Sequence, residues 1–236
     1  MEHVVLPDSA ERPLTFYLAM EEYVAAAYGC GFFVWQVAPT VIIGRNQDLE
    51  TEVNLQFCRE NGINIVRRKS GGGCVYADKG NLMLSYVTTS KGVEAVFRDF
   101  LEKFSGVLRD LGLPAVYTEH NDILVDGCKV SGSAFFSLPH GSIVHGTLLH
   151  SVDFDALAQA ITPSKTKLEK HGVQSVRQRV ANLSSLGLTM TAEELADYLT
   201  DAFCTGERRL DGSDVARIEE IEKSYTTPSF VLGKAL

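Results

Sequence analysis

The chain of 236 residues is 45% hydrophobic and 22% charged, an ordinary balance for a soluble globular protein of one large domain or two small ones. A formal charge of -8 argues against nucleic acid as a bulk partner, so any anionic ligand has to be held by a local basic cluster. No apolar run approaches the ~18 residues a membrane span needs, and Met1-Glu2-His3-Val4-Val5 lacks the basic and apolar regions of a secretory signal, which makes cytoplasmic residence the default expectation.

Thr15–Tyr28 reads as an amphipathic helix, with Phe16, Ala19, Met20, Tyr23 and Ala27 near one face and Gly29 as its stop. Two apolar runs, Gly31–Val37 and Thr40–Ile43, flank Ala38-Pro39 and suggest paired strands. A short helix over Leu55–Glu60 ends at Asn61-Gly62, and a strand over Ile63–Arg67 runs directly into three glycines. Asn81–Thr88 is a further strand. Lys91–Leu111 carries the clearest helical spacing, through Val93, Val96, Phe97, Phe100, Phe104, Val107 and Leu111. Asp126-Gly127 marks the turn of a hairpin between Ile123–Val125 and Val130–Ala134, and Ser142–His150 continues the β-rich region. The last third reads as helices over Asp155–Ile161, Ala192–Phe203 and Val215–Lys223, the second opened by a Thr191/Glu194 capping box. Strands and helices mix without regular alternation, so an α+β fold of mixed β-sheets flanked by helices is expected, in a single domain over residues 1–236.

The five cysteines, Cys30, Cys58, Cys74, Cys128 and Cys204, are scattered and never spaced as CxxC, which argues against a disulfide framework or a zinc site. The glycine triplet Gly71-Gly72-Gly73 is more informative. Alone it reads equally well as a tight turn or bulge. Preceded by Arg67, Arg68 and Lys69 in an acidic chain, it points instead to a phosphate or adenylate site. Bare backbone amides can approach a phosphate closely, and a guanidinium grips phosphate oxygens in pairs. The pattern is neither a Walker A loop nor a Rossmann fingerprint.

The run Arg67-Arg68-Lys69-Ser70-Gly71-Gly72-Gly73-Cys74-Val75-Tyr76-Ala77-Asp78 resembles the RRxSGGGxVxxD signature of lipoate–protein ligases, members of the biotin/lipoate ligase superfamily. Three more segments agree in order and spacing: Ile43-Gly44-Arg45-Asn46-Gln47 with Glu52 and Asn54; Asn121-Asp122-Ile123 with Lys129-Val130-Ser131-Gly132-Ser133-Ala134; and His145-Gly146-Thr147-Leu148-Leu149 followed by the segment Lys167–Leu183. The resemblance covers Thr15 to Leu183 firmly. It implies the class II aminoacyl-tRNA synthetase-like catalytic fold and ATP-dependent conversion of lipoate to lipoyl-AMP. The lipoyl group is then passed to a lysine of a carrier domain, in 2-oxo acid dehydrogenase acyltransferase subunits or the glycine-cleavage carrier protein.

By this resemblance Lys129 is the catalytic residue, touching both the acyl carbonyl and the α-phosphate, although an arbitrary lysine after an Asp-Gly turn is a solvated one. Arg68, Gly73, Cys74, Val75 and Tyr76 hold ATP and the adenylate; Arg45, Gly72, Ser131, Gly132, His145 and Gly146 shape the lipoate pocket; Asp122 binds Mg²⁺. A buried structural histidine is the other reading of His145, and a plain turn that of Asn121-Asp122. The segment Lys165–Asn182 resembles the family's adenylate-covering loop, against the alternative of a solvated charged surface. Two positions depart from the family pattern: Ala77 stands where members often have His, and Cys74 where many have Ala. Many ligases carry a small accessory domain after this unit, which the resemblance places outside this chain and makes a separate accessory chain a further expected partner. The rivals are a cysteine-dependent octanoyl- or lipoyl-amidotransferase and a non-catalytic lipoyl-binding subunit. No cysteine lies from Pro114 to His120, and Cys128 and Lys129 should point to opposite faces of a strand, which leaves Cys74 as the candidate nucleophile.

Overall fold

The fold is that of a computed structural model, which describes residues 1–162 and 180–233. Its elements in chain order are β1 (Glu2–Val5), α1 (Leu14–Ala27), β2 (Gly31–Trp35), β3 (Thr40–Ile43), α2 (Leu49–Glu52), α3 (Leu55–Glu60), β4 (Asn64–Arg67), β5 (Val75–Ala77) and β6 (Asn81–Thr88). There follow α4 (Val93–Asp110), β7 (Ala115–Tyr117), β8 (Asp122–Val125), β9 (Cys128–Leu138), β10 (Gly141–Leu149) and α5 (Phe154–Ala160). The chain then forms α6 (Ala192–Phe203), β11 (Gly206–Arg209), α7 (Gly212–Glu222) and α8 (Pro228–Leu232). Eight strands make one sheet in the order β11-β1-β2-β6-β10-β9-β8-β7, and three make a second, β4-β3-β5. Both are mixed: β1 runs parallel to β2 and β11, and β3 runs parallel to β4 but antiparallel to β5. Among the described residues no helix is long and apolar enough to cross a membrane.

Strand alternation assigns the layers. Phe32, Leu82, Leu84, Val144 and Leu148 face α4 and α6, where they meet Phe100, Phe104, Leu199 and Phe203. Their neighbours Phe33, Trp35, Met83, Val87 and Ile143 point to the other face, against Phe16, Met20 and Val24 of α1. The small sheet divides in the same way. Ile42, Val66 and Ala77 join the α1 layer, while Val41, Ile43 and Tyr76 pack with α3 and α5 residues such as Cys58 and Leu157.

Local chemistry accounts for most boundaries. Glu194 N–H donates to Thr191 Oγ1 at 3.2 Å and Thr191 N–H to Glu194 Oε2 at 2.7 Å, the reciprocal cap expected for α6. Asp211 and Asp214 build a second such box on α7 that the sequence pattern did not announce. Asp126 and Gly127 turn the β8–β9 hairpin with φ of 49° and 79°, as a two-residue Asp-Gly turn requires.

Two expectations are corrected. The runs read as paired strands are β2 and β3, and they belong to different sheets: β2 is already flanked by β1 and β6, so β3 pairs with β4 and β5 instead. Helix α1 is not amphipathic on one face. It is buried nearly all round, from Leu14 to Ala25, because α7 covers the side the large sheet leaves open; Tyr23 and Tyr28 hydroxyls donate to Asp214 Oδ1 at 2.5 and 2.9 Å. Strands β1, β5, β7 and β11 went unread because three or four residues carry too little periodicity to count.

Phe203 stacks on Phe32 at 4.4 Å between ring centroids and abuts Phe100 and Phe104, at the point where α6 meets the sheet. Phe203→Ala is expected to cost about 3–5 kcal/mol by lost burial and a residual cavity. Urea unfolding of the variant measures this, and a loss below about 1 kcal/mol would mean that α6 repacks without it.

Candidate active site

A cavity of about 710 Å³ lies between the α1 face of the large sheet and the small sheet. Its floor follows the register of five adjacent strands. Trp35 pairs with Met83, Met83 with Thr147, Thr147 with Gly132, and Gly132 with Asp122. At ~4.8 Å per strand this row spans roughly 19 Å, the reach of an elongated ligand. The Trp35 end is apolar, roofed by Leu14, Leu18 and Ile42. At the other end stand Asn121, Asp122 and Lys129, and a second apolar wall comes from Leu149, Leu157 and Ile161.

Lys129 reaches this face through an irregularity. Leu124 pairs with Lys129 but Ile123 pairs with Ser131, so Val130 is an extra residue. In a regular strand residues 129 and 132 point to opposite faces; the bulge at Val130 restores them to the same one. Val130 and Ser131 then both face the α4 layer, fully buried. Lys129 Nζ lies 2.7 Å from Asp122 Oδ1, with the two side chains 24% and 7% exposed. The amine occupies the space above Gly132, where an added Cβ would stand 2.7 Å from Nζ and 2.9 Å from Cε. Glycine at 132 is therefore a requirement of the lysine's position. Asn121, at the start of β8, has φ 61°, a left-handed conformation that asparagine tolerates better than most residues.

The basic run before the glycines divides its work. Arg68 alone of the three borders the cavity, and it wraps the loop around itself. Nη2 donates to the carbonyls of Gly71 and Gly73 at 2.8 and 2.7 Å, Nε to Gly71 at 3.2 Å, and Nη1 to Ile42 of β3 at 3.2 Å. Burial pulls its guanidinium down to about 10, partly opposed by the neighbouring Cys74, so it is still charged at neutral pH. Gly44 supports the loop from below; a Cβ there would meet Gly72 O at 2.3 Å, and Gly72 itself has φ 96°. Arg67 points away, its Nη1 donating to the carbonyls of Gly44, Arg45 and Gln47 and its Nε to Val231 of α8. Lys69 pairs with Glu22 at 2.7 Å and sits over the Tyr225 ring. Among the described residues the expected basic cluster at the cavity is thus Arg68 and Lys129, because Arg67 and Lys69 tie the loop to α8, to α1 and to Tyr225.

Gly72, Gly73, Cys74, Val75, Tyr76, Gly132, His145 and Gly146 all border the cavity, as their motifs lead one to expect. Two assigned residues do not. Arg45 is exposed on the loop after β3, where its backbone N–H donates to Ser70 O at 3.0 Å. Ser131 is fully buried on the opposite face, paired with Ile123 and Leu148, because the bulge turns it there. Most of the loop expected to cover an adenylate, residues 163–179, lies outside the described residues; the chain returns alongside Lys129, whose carbonyl accepts from Ala181 N–H at 3.0 Å.

No group of three or more His, Cys, Asp or Glu that could hold a metal exists among the described residues. Two carboxylates among the described residues, Glu52 and Asp122, border the cavity, Asp122 paired with Lys129, and so small a set fits an ion that arrives on phosphates rather than one caged by protein. Of the cysteines only Cys74 borders the cavity. Cys204 caps α6, its thiol pushed up to about 11 by burial. The apolar residues Leu14, Leu18, Trp35 and Met83 escaped the sequence motifs, since nothing distinguishes them from core. Glu21 also escaped. It occupies the same α1 stripe as Leu14 and Leu18, and a carboxylate on that stripe is a signal that was there to be read.

The model of the lipoyl protein ligase A/B catalytic domain matches residues 13–204. Lipoate-protein ligase LplJ of Bacillus subtilis is 39% identical over 201 residues, which cover 81% of this chain and 60% of that relative. Lipoate–protein ligase 1 of Staphylococcus aureus is 38% identical over 173 residues, 72% of this chain and 53% of its own. The chain thus spans little more than half the length of these relatives. Among solved structures, the bi-partite lipoate protein ligase of Thermoplasma acidophilum, analysed with its E2 lipoyl domain, superposes with a TM-score of 0.86 at 27% identity, covering 100% of this chain and 98% of that one. A lipoate-protein ligase A bound with ATP gives 0.85 at 26% identity, covering 100% of both chains. With the family model matched over residues 13–204, this chain belongs to the lipoyl protein ligase A/B catalytic domain family.

Proposed function

We propose that the chain is the catalytic unit of a lipoate–protein ligase, which activates lipoate with ATP and passes the lipoyl group to a lysine of a lipoyl carrier domain. The observation that carries this reading is the shape of this cavity: an apolar end at Trp35 and a charged end at Lys129 and Asp122, with the glycine loop alongside. A lipoyl chain would lie in the apolar end with its carboxylate toward Lys129. ATP would lie along Gly73, Cys74, Val75 and Tyr76. In the first step a lipoate oxygen attacks the α-phosphorus and the bond to the β-phosphate breaks, releasing pyrophosphate. In the second the carrier amine attacks the acyl carbon, the bond to AMP breaks, and the amine gives up a proton.

Both steps gather negative charge near the acyl–phosphate junction, and Lys129 is the cation placed to meet it. Its ammonium, held over Gly132 by Asp122, needs no reorganisation when that charge appears. Arg68 works differently. Its donors bind the carbonyls of Gly71 and Gly73, so the loop presents less negative oxygen to a phosphate. Asp122 is the carboxylate that would hold Mg²⁺, whose charge would further neutralise the triphosphate. A carrier domain is the partner this chemistry requires. The cysteine-dependent transferase remains a second reading because Cys74 borders the cavity.

Purified protein given lipoate, ATP and Mg²⁺ is expected to release pyrophosphate and lipoylate an apo carrier domain, with transfer from preformed lipoyl-adenylate testing the second step alone. Acyl transfer from an octanoylated carrier without ATP, abolished by Cys74→Ser, would instead establish the transferase. Lys129→Ala should lower the rate on the order of 10²-fold or more. Gly132→Ala, which displaces the amine without removing it, should cost ~10-fold to 10²-fold. A Gly132→Ala enzyme at wild-type rate would show that the lysine's position over the strand is immaterial.

A further inference from the structure

One charged side chain bordering no ligand in the mechanism above is buried in the middle of α1. Glu21 is 2% exposed, in a helix that is otherwise apolar on that stripe. Burying a carboxylate is costly unless it is hydrogen-bonded and paired. Glu21 is both: Oε1 accepts from Ser85 Oγ at 2.6 Å, and Oε2 lies 2.9 Å from His145 Nδ1. The chain of contacts continues in both directions. Ser85 Oγ accepts from Trp35 Nε1 at 2.9 Å, and His145 Nε2 lies 2.7 Å from Ser70 Oγ, the residue that leads into the glycine triplet. Trp35 and His145 border the cavity.

A leucine at position 21 would serve the core as well as its neighbours do, so stability alone does not explain the carboxylate. We propose that Glu21 is a positioning residue of the acyl-binding end, acting through His145. A carboxylate accepts only, so it holds the proton on His145 Nδ1 and leaves Nε2 to accept the Ser70 hydroxyl. That contact pins the head of the glycine loop to the sheet beside the cavity's apolar end, while Ser70 O takes Arg45 N–H from the other side. The Glu–His–Ser order matches that of a hydrolytic triad, but Ser70 is 2% exposed and does not border the cavity. No electrophile reaches its oxygen, and the relay sets geometry instead of attacking. The inference rests on the reading that an acyl acid such as lipoate occupies this end.

Glu21→Gln tests it with little change of shape. A glutamine keeps an oxygen for Ser85 but turns an N–H₂ toward His145 Nδ1, which forces the proton to Nε2 and reverses the bond to Ser70. Trp35 is the chain's single tryptophan and part of the relay, so its fluorescence reports lipoate binding directly. Two readouts are expected to move together: the ¹⁵N NMR shifts of His145, assigned by their loss in His145→Gln, should show the tautomer exchanged. Lipoate should bind about 10-fold more weakly in the Gln variant. His145→Gln should weaken lipoate to a similar degree, and adding Glu21→Gln to it should do little more. An unchanged tautomer, an unchanged affinity, or additive losses in the double variant each overturn the proposal. Should Glu21→Gln fail to fold, the ¹⁵N shifts of His145 in the wild-type protein decide alone, and a proton on Nε2 overturns it. Wild-type protein that does not bind lipoate overturns the reading of the cavity itself, and with it the role of Glu21.

Discussion

The cavity depends first on how Arg68 is buried. A guanidinium taken out of water has to find acceptors for its donors, and here every acceptor found is a backbone carbonyl of β3 or of the glycine loop. The consequence is mechanical. Three glycines in a row have little preference of their own, yet the carbonyls of Gly71 and Gly73 converge on one rigid planar group, and Gly72 O comes to rest against Gly44. The loop is stiff because of a side chain inside it, and glycine is needed where that side chain and β3 come closest.

Around this clamp the remaining charges are distributed by what the layers can satisfy. Arg67 and Lys69 flank the clamp but turn outward from the cavity, to α8 and to the Glu22–Tyr225 pair between α1 and the C-terminal helices. Desolvation pushes the Tyr225 phenol well above its usual range, reinforced by Glu22, so it remains a neutral donor to that carboxylate. Glu21 and Glu22, adjacent in sequence, thus hold the loop from two sides: one through His145 and Ser70, the other through Lys69. Helix α1 is the common support, which is why it is buried nearly all round and why α7 is needed to cover it.

The charged end of the cavity obeys a different constraint, strand parity. Cross-strand neighbours Asp122 and Gly132 share a face by register, but Lys129 joins them only because one residue of β9 is out of step. The same slip carries Ser131 into the α4 core. Lys129 and Ser131, each one residue from the bulge at Val130, cannot both be placed by counting alternate residues.

Local pattern sufficed for much of this protein. The spacing in α4, the alternation in β6, the capping box of α6 and the Asp126-Gly127 turn each express interactions among residues a few positions apart, and each stands within a residue or two of where the sequence puts it. The motifs around Arg68, Gly73, Lys129 and His145 also pointed to polar residues that meet at the cavity, and to the family. Tertiary structure alone decided the rest: that β2 and β3 part company into two sheets, that one of three consecutive basic residues faces inward, that Lys129 crosses to the side of Asp122, and that Arg45 stays outside. It alone joined Glu21 to Ser70 across 49 positions of chain, through a histidine from a third element. Short-range sequence sets backbone conformation, but the direction of a side chain depends on register and on which layer closes over it, and both are fixed by residues far away along the chain.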